Sequence, residues 1–441
     1  MTTGNNGRDE IMDFSLTVYK ALGSGLFAAT FPSFWLYTRL SGRYRKGLQE
    51  RLGLIPPGIT PRLEGSPRIW MHAVSLGEIR VAHAVYKAIR TLAPDASFIV
   101  SSTTDHGVGL ARETFQGVPV VYAPFDAVFC VRKALYRIRP DVMVFLETEI
   151  WPAWIHEAHR MGARVALLNG RISRRSAGTY IKFRAFWKRV LKNVDALSMI
   201  GEEDARRIRR MGADPAKVMV NGNAKYDLLA GQADPAFVEE MRAELDLTPR
   251  SRVLVAGSTR RDEESMVLDA YDKILRHFPD TLLFIAPRHI DRTPAIASLL
   301  KSRGYAYQLR SHMIERRVER RAPVVIMNTF GELFSLYSVG TIVFCGGSLV
   351  PLGGQNPLEP AAWGKAAFYG PFMENFPDAE ALLARVGGGI RVSSTEDFAE
   401  RAVWFLNHPE ELEARGARAR NAVIQNQKAA IKHARVIADL I

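Results

Sequence analysis

The sequence predicts an α/β protein with two doubly wound domains, each a parallel sheet covered by helices on both faces. The chain has 441 residues, which is more than one hydrophobic core normally serves. Short, continuously apolar runs alternate with amphipathic stretches, as they do in βαβ units. This alternation is interrupted near the middle of the chain and then begins again. We therefore expect two Rossmann-like domains rather than a single large one.

Each half of the chain contains five apolar runs with the length of a buried parallel strand. In the first half the runs begin at Arg68, Ser97, Val118, Asp141 and Arg164. In the second half they begin at Arg252, Thr281, Pro323, Thr341 and Ala366. Ligands of open parallel sheets bind beyond the carboxyl ends of the strands. We therefore expect the functional residues directly after these runs, in a central cleft between two facing domains.

The predicted domain boundaries follow changes in composition along the chain. They separate an N-terminal membrane-associated segment (1–45), a first Rossmann-like domain (46–228), a second one (229–425) and a C-terminal helix (426–441). The hinge is placed near Tyr226, because glycine and proline recur in the stretch that follows. The helical and basic segment from Glu411 to Ile441 is predicted to cross back to the first domain.

The charge balance restricts the class of partner. Lysine and arginine number 59 against 46 aspartates and glutamates, so the net charge is +13. This excess favours anionic partners such as an acidic membrane surface or a phosphorylated substrate. Nucleic acid is disfavoured, because the sequence has no recognised nucleic-acid-binding module. Cys130 and Cys345 lie in apolar contexts far apart, which indicates a reduced, cytoplasmic chain without a disulfide.

The stretch from Ala21 to Thr38 is uncharged and rich in aromatic residues. It is shorter than a membrane-spanning helix and is interrupted by Pro32. The basic residues around its end are Arg39, Arg43, Arg45 and Lys46. We expect this segment to insert shallowly into an anionic membrane surface. A helical hairpin packed on the first domain is the alternative.

A second candidate for lipid contact is the basic stretch from Arg171 to Asn193. Its apolar side chains recur at helical spacing, at Tyr180, Phe183, Trp187 and Val190 or Leu191. The density of arginine and lysine favours a helix that docks on lipid. A helix packed on the core, with a solvated basic back, accounts for the same pattern.

Carboxylates follow two of the predicted strands in the first half. Glu78 lies in the first helical turn after a strand, where partial burial would raise its pKa and make it a general base. An acidic residue that complements a helix dipole is the simpler interpretation. Glu147 and Glu149 occupy alternate positions at the end of another strand, so we expect only one of them to face the cleft.

The segment from Gly346 to Pro360 joins a glycine-rich turn to a predicted helix start. The backbone N–H groups of such a turn and the helix dipole are suited to hold a phosphate, and Glu359 is placed to accept hydrogen bonds from ribose hydroxyls. Arg288, directly after a strand, would pair with a phosphate. A structural turn and a surface salt bridge are the alternatives. Asp262 and Glu263 either contact a ligand or complement a helix dipole.

No metal site is predicted. His156 and His159 are three residues apart without the spacing of a zinc motif, so they are interpreted as helix-surface residues. The sequence also lacks an Asp-x-Asp pair of the kind that binds Mg²⁺ together with a nucleotide diphosphate. Either the reaction needs no metal or the chemistry lies elsewhere.

Together these motifs resemble those of the 3-deoxy-D-manno-octulosonic acid (Kdo) transferases of lipopolysaccharide assembly. The resemblance spans nearly the whole chain and depends on several motifs in one order. They are WMHAVSLGE, ETEIWP, NGRISRRS, GNAKYD, GSTRRDEE, APRH, FGEL and GGSLVPLGGQNPLEP followed by GPFMENF. The resemblance implies the GT-B glycosyltransferase fold, with an acceptor-binding domain at 46–228 and a CMP-Kdo-binding domain at 229–425.

The resemblance also implies a metal-independent, inverting transfer of Kdo from CMP-Kdo to the lipid A precursor lipid IVA, without a cofactor. Glu78 is similar to the family's catalytic base, and Glu147 and Lys225 match positions that support the transition state. The residues that match CMP-binding segments are Pro287, Arg288, Gly331, Glu332, Leu333, Asn356, Pro357, Leu358 and Glu359. The implied location is the cytoplasmic face of the bacterial inner membrane, with the anionic membrane surface as a partner.

Three positions depart from the pattern of this family. Gln355 stands where histidine is usual, Asn328 where aspartate is common, and Arg260 where histidine is usual. None of them is the expected base, so the departures bear on donor contacts more than on the class of reaction. Another GT-B transferase or a sugar-nucleotide epimerase is the alternative enzyme. A non-catalytic, membrane-bound nucleotide-binding protein is the alternative from a different class.

Overall fold

The structure, a computed structural model, describes residues 6–41 and 46–441. These residues divide into two units, and the first consists of the residues up to Leu228 together with Lys428–Ile441. The second unit is Leu229–Gln427. Within the described residues, each unit is built on one seven-stranded parallel sheet with a buried apolar cluster on either face. The predicted α/β class with two doubly wound domains is confirmed.

The first sheet contains the predicted strands and two further short ones. Its strands are β1 (Arg68–His72), β2 (Ser97–Ser102), β3 (Val120–Tyr122), β4 (Val142–Leu146), β5 (Arg164–Gly170), β6 (Ala196–Met199) and β7 (Val218–Val220). They are ordered β3-β2-β1-β4-β5-β6-β7. The direction of the chain order reverses between β1 and β4. Doubly wound sheets bind their ligands at such a topological switch point, so the carboxyl ends of β1 and β4 are the expected ligand site of this unit.

The second sheet has nearly the same plan. Its strands are β8 (Val253–Thr259), β9 (Leu282–Pro287), β10 (Tyr307–Leu309), β11 (Val324–Ile326), β12 (Ile342–Cys345), β13 (Ala367–Tyr369) and β14 (Gly389–Arg391). They are ordered β10-β11-β9-β8-β12-β13-β14, so the switch point lies between β8 and β12. The edge strands β10 and β14 are the two that the sequence analysis did not predict.

The helices connect the strands in the order typical of βαβ units. In the first unit they are α1 (Asn6–Ser41), α2 (Leu48–Arg51), α3 (Leu76–Leu92), α4 (Asp105–Thr114), α5 (Val128–Ile138), α6 (Pro152–Arg160), α7 (Arg174–Lys182), α8 (Arg184–Lys192) and α9 (Glu202–Met211). Helix α10 (Lys225–Gln232) begins in the first unit and ends in the second. In the second unit they are α11 (Ala236–Glu244), α12 (Glu263–His277), α13 (Thr293–Ser302), α14 (Arg310–Arg316), α15 (Leu333–Val339), α16 (Leu358–Ala362), α17 (Pro377–Val386), α18 (Thr395–Asn407) and α19 (Pro409–Gln425). Helix α20 (Ala429–Ala438) belongs to the first unit and packs against α3.

Helix α1 is one continuous helix rather than a hairpin, and it contacts the first unit along one side. The ring of Phe27 packs against Phe125 and Phe129, at centroid distances of 5.2 and 5.5 Å. The Tyr19 hydroxyl donates a hydrogen bond of 2.9 Å to Asp126 Oδ2. Burial raises the pKa of Asp126 to about 6. Part of the predicted anchor is therefore packed on the protein.

The rest of the α1 surface carries exposed apolar side chains, at Leu26, Trp35, Leu36, Tyr37 and Leu40. None of the helices among the described residues combines the length and the hydropathy that crossing a bilayer requires. Two of the basic residues expected to follow this segment, Arg43 and Arg45, lie outside the described residues.

The basic stretch from Arg171 to Asn193 forms helices α7 and α8, which meet at Phe183. Val190 and Leu191 are fully buried in the core, and Trp187 packs against the same cluster. Phe183 is exposed. Core packing therefore accounts for most of the apolar spacing in this stretch, contrary to the preferred interpretation as a lipid-docking helix.

Candidate active site

Two of the predicted catalytic carboxylates lie at the switch point of the first sheet. Glu78 is in the first turn of α3, directly after β1, and Glu147 directly follows β4. Strands β1 and β4 are parallel, hydrogen-bonded neighbours. Their carboxyl ends therefore bring the two residues to the same edge of the sheet, as expected for functional residues of this fold.

The start of its own helix holds the side chain of Glu78. Ser75 is the N-cap of α3, and its Oγ accepts a hydrogen bond of 3.2 Å from the Glu78 backbone N–H. The same hydroxyl donates to Glu78 Oε1 at 3.1 Å, and the backbone N–H of Val74 donates to Oε2 at 2.8 Å. The pattern S-x-x-E is that of a capping box, but the carboxylate binds the N–H of Val74, one residue before the N-cap, and so turns back toward the strand.

The environment of Glu78 favours a proton on its carboxyl group. The residue is only 6% exposed, and this burial raises the pKa of Glu78 to about 7, assisted by the charges of Glu149 and Glu147. Hydrogen bonds from Val74 and Ser75 act in the opposite direction. A carboxylate that merely complemented a helix dipole would have a lowered pKa. The raised pKa therefore favours the general-base interpretation, since a base works best with a pKa near the operating pH.

Glu147 is fixed by its backbone and by two neighbouring side chains. Its φ of +53° turns the chain sharply at the end of β4. Its Oε1 is 2.6 Å from Lys225 Nζ and 3.4 Å from Asn169 Nδ2. The carbonyl Oδ1 of Asn169 in turn accepts a 2.8 Å hydrogen bond from the backbone N–H of Ala224. Asn169 thus holds Glu147 and the residue before Lys225 at the same time.

Lys225 also lies beside the helix turn that carries Glu78. A Cβ atom built on Gly77 would be 3.9 Å from Lys225 Nζ. The structure therefore brings together all three residues predicted to be catalytic, Glu78, Glu147 and Lys225, within the first unit. Their roles in catalysis stay predictions.

The expectation that only one of Glu147 and Glu149 faces the cleft stays a prediction. Strand β4 ends before Glu147, so the alternation of a strand does not extend to these residues, and both charges act on Glu78. Glu149 Oε2 accepts a 2.6 Å hydrogen bond from Trp151 Nε1 and lies 4.0 Å from His72 Nε2. Burial lowers the pKa of His72 to about 4, so its imidazole is neutral.

The glycine-rich turn of the second unit is fastened by a buried carboxylate. Glu263 is fully buried at the start of α12. It accepts hydrogen bonds from the backbone N–H groups of Gly347 (2.5 Å), Ser348 (2.9 Å), Leu349 (2.9 Å) and Arg260 (3.0 Å). The prediction that this turn presents its N–H groups to a phosphate is therefore wrong for the three turn residues. Glu263 has a structural role and joins the ends of β8 and β12.

Arg288 and Glu359, both predicted to contact the donor, lie close enough to interact. Arg288 is exposed directly after β9, and its backbone N–H donates to the Thr259 carbonyl at 3.0 Å. Burial raises the pKa of Glu359 to about 7, while a hydrogen bond from Asn356 and the charge of Arg288 lower it. Asn356 Oδ1 also accepts a 3.2 Å hydrogen bond from the Leu358 N–H. A guanidinium and a carboxyl group thus share one neighbourhood.

The other predicted donor residues are parts of the surrounding framework. Gly331 has a φ of +89°, and Leu333 packs against the core of the second unit. The Glu332 carboxylate accepts two hydrogen bonds from the buried guanidinium of Arg310, at 2.9 and 2.7 Å, and one from the Thr329 hydroxyl. Pro287, Pro357 and Leu358 are buried. Contact of these residues with CMP stays a prediction.

The residues that sequence analysis missed are buried. Asn169 and His72 were not singled out, although both lie at the ends of strands next to the switch point. Their places at the ends of β5 and β1 are the only signal that the sequence offered for them. Among residues 6–41 and 46–441, no group of three or more His, Cys, Asp or Glu side chains is arranged to hold a metal ion.

Comparisons with known proteins connect this arrangement to a family. Residues 46–228 match the family model described as 3-deoxy-D-manno-octulosonic-acid transferase (Kdo transferase). The 3-deoxy-D-manno-octulosonic acid transferase of Haemophilus influenzae is 30% identical over 394 residues, which cover 89% of this chain and 90% of that protein.

Solved structures show the same architecture at low sequence identity. A glycosyltransferase from Rickettsia africae has a TM-score of 0.56 at 14% identity, covering 85% of this chain and 97% of the other. The UDP-GlcNAc 2-epimerase of Neisseria meningitidis has a TM-score of 0.59 at 13% identity, covering 85% of this chain and 99% of the other. The predicted GT-B fold is confirmed, but an epimerase shares it, so the fold alone does not decide the activity.

The Haemophilus influenzae relative does decide, because its alignment covers 89% of this chain and 90% of its own, and it is a transferase. This chain belongs to the Kdo transferase family of glycosyltransferases.

Proposed function

We propose that this enzyme transfers Kdo from CMP-Kdo to a glucosamine hydroxyl of lipid IVA, with inversion at the ketosidic carbon and without a metal ion. The observation that carries the proposal is the state of Glu78. Its carboxyl group is buried at the switch point of the first sheet, and its pKa is raised to about 7. A group of this kind is suited to take a proton from a hydroxyl at neutral pH.

In the proposed step, Glu78 removes the proton of the acceptor hydroxyl as that oxygen forms a bond to the ketosidic carbon of Kdo. The bond between this carbon and the phosphate oxygen of CMP-Kdo breaks, and its electron pair leaves with CMP. Attack opposite to the leaving group inverts the configuration. Lys225, held 2.6 Å from Glu147, supplies a fixed positive charge for the negative charge that develops on the reactants.

The donor residues that we propose are consistent with a leaving group that carries a single phosphate. The exposed guanidinium of Arg288 can pair with that phosphate through two parallel hydrogen bonds. The Glu359 carboxyl, with its pKa near 7, can accept hydrogen bonds from ribose hydroxyls. Neutralising one phosphate demands less positive charge than a diphosphate does, and this is the physical reason to propose that no metal takes part.

We further propose that the enzyme works at the cytoplasmic face of the bacterial inner membrane, with α1 lying on the anionic surface. The exposed Leu26, Leu36 and Leu40 and the cation Arg39 supply the apolar and basic groups that shallow insertion needs. Replacing Leu36 and Leu40 with serine should reduce sedimentation with vesicles that contain anionic lipid. The matched control is Phe27→Ser, which alters the side of α1 that faces the protein. Equal binding of the Leu36/Leu40 variant and the unmodified enzyme would contradict the proposal.

The central experiment measures release of CMP from CMP-Kdo in the presence and absence of lipid IVA. We expect release only with the acceptor, no loss of rate in EDTA, and a product of inverted configuration by NMR. Glu78→Gln should abolish release while CMP still binds. Glu113→Gln, which changes an exposed carboxylate of the same unit, is the control and should retain full activity. Turnover by Glu78→Gln at the normal rate would refute the assignment of the base.

A further inference from the structure

The last helix of the chain contacts the segment that carries Lys225. His433, in α20, is completely buried. Its Nδ1 is 2.7 Å from Ser198 Oγ, and its Nε2 is 3.1 Å from the carbonyl oxygen of Gly222. The side chain of Asn221 donates a hydrogen bond of 2.7 Å to the same Ser198 oxygen. An imidazole from the end of the chain thus touches the backbone just before Lys225.

Every proton in this group of contacts can be assigned. The Gly222 carbonyl can only accept, so the hydrogen of the His433 ring is on Nε2. Burial lowers the pKa of His433 to about 4, so the ring is neutral and Nδ1 is an acceptor. Ser198 therefore donates its hydroxyl proton to Nδ1 and accepts from Asn221. No donor or acceptor of the ring is left without a partner.

Three further hydrogen bonds restrain the same segment. The Asp227 carboxylate accepts hydrogen bonds from the backbone N–H groups of Ala429 (3.3 Å) and Ala430 (2.6 Å), at the start of α20. On the other side, the Ala224 N–H is bound to Asn169, which also contacts Glu147. The segment from 221 to 227 is therefore held between α20 and the sheet.

The geometry points to His433 as a positioning residue: through its hydrogen bond to Gly222, it sets the place at which Lys225 meets Glu147. Gly222 has a φ of +93°, in the left-handed region. Glycine has no Cβ atom, so its backbone is not restricted to this conformation by a side chain of its own. A restraint from outside is therefore needed. This inference rests on the proposed function, in which Lys225 and Glu147 take part in the transfer.

Two conservative substitutions separate the two contacts of the imidazole. The amide of glutamine reaches the position of Nε2, so His433→Gln keeps a donor for Gly222. The amide of asparagine reaches the position of Nδ1, so His433→Asn keeps the acceptor for Ser198 and leaves Gly222 without a donor. Arg435→Ala, an exposed position on the same helix, is the control.

We expect His433→Asn to lower kcat by about 10- to 100-fold, because a displacement of about 1 Å near the chemistry has effects of that size. Its KM for CMP-Kdo should stay within about two-fold of the normal value, since the donor residues lie in the second unit. His433→Gln should retain kcat within about three-fold, although both variants lose one hydrogen bond and a similar amount of stability. If His433 had only a structural role, kcat would follow the melting temperature in both His433→Asn and His433→Gln.

Hydrogen exchange of the peptide that covers 221–228 tests the restraint without any substrate. We expect exchange about ten-fold faster in His433→Asn than in His433→Gln or Arg435→Ala. Equal kcat and equal exchange for the asparagine and glutamine variants would overturn the inference. If the unmodified enzyme fails to release CMP from CMP-Kdo, the proposed function fails, whereas the exchange measurement still decides whether His433 holds the Lys225 segment.

Discussion

The ammonium of Lys225 lies 2.6 Å from Glu147 Oε1 and joins the first residue of α10 to the end of β4. The carboxylate is nearly buried, whereas the lysine is partly exposed, with 38% of its side chain accessible. The lysine balances one of three carboxylates that meet at the switch point. The charges of Glu149 and Glu147 raise the pKa of Glu78, and this coupling shapes the behaviour expected of variants.

Lys225→Met should weaken both activity and stability. It leaves the Glu147 carboxylate without its cation, which should lower the free energy of unfolding by about 1–2 kcal/mol, a small value because the lysine is partly exposed. The loss of a fixed charge should reduce kcat/KM by about 100-fold or more. Adding Glu147→Gln should restore stability but not turnover. Urea unfolding and CMP release measure the two effects, and a Lys225→Met enzyme of normal activity would exclude the assigned role.

Glu78→Gln should make the protein more stable at alkaline pH. The folded pKa of about 7 is above the ordinary 4.5, so the folded state binds the proton more tightly and loses stability as the pH rises between these values. Above pH 7 the ionised group destabilises the fold by about 3 kcal/mol, and glutamine removes this effect. Thermal unfolding should show a higher melting temperature for the variant at pH 8 and equal values at pH 4.5. A lower melting temperature at pH 8 would argue against a raised pKa.

Glu149→Gln should shift the pH dependence of catalysis. The base must be ionised, so kcat/KM should fall as the pH decreases through about 7. The Glu149 charge raises the pKa of Glu78, and its removal should move this limb of the profile to lower pH. Profiles of CMP release for both enzymes, with Glu113→Gln as the control, test this. An unshifted acid limb would mean that another group is titrating.

Glu263→Ala should release the glycine-rich turn of the second unit. Four backbone N–H groups lose their acceptor, and buried donors without partners destabilise a fold by about 1–3 kcal/mol each where water cannot replace the acceptor. We expect a lower melting temperature and at least ten-fold weaker CMP binding by calorimetry. Asp262→Asn alters the neighbouring, exposed carboxylate and should leave both quantities unchanged. Normal CMP affinity in Glu263→Ala would show that the turn does not support the donor site.

The strands that could be predicted are those with long apolar runs. All ten predicted strands are present, because a strand buried on both faces needs apolar residues at nearly every position. The four missed strands, β6, β7, β10 and β14, have three or four residues and lie at a sheet edge or beside one. A strand that pairs with only one neighbouring strand, or with a short one, does not need a long apolar run. Their existence depends on the assembled sheet rather than on local pattern.

Residues of the candidate site could be predicted from the sequence where a charged residue follows a predicted strand. Glu78, Glu147 and Arg288 were found in this way, and Lys225 only through the family resemblance. The bonds between them were not predictable, because they join positions far apart in the chain. Glu263 shows the difficulty: its place in a first helical turn is commonplace, and only the folded structure reveals that it binds the turn after β12.

The return of α20 to the first unit has a consequence for biosynthesis. Helix α20 packs against α3, yet the entire second unit is translated between them. The apolar surface of α3 that α20 covers is therefore exposed in the nascent first unit until residues 429–438 have left the ribosome. Contacts of such long sequence separation form slowly. Chaperones that shield exposed apolar surface should bind this protein during synthesis. The first unit, although it is translated first, should finish folding after the second.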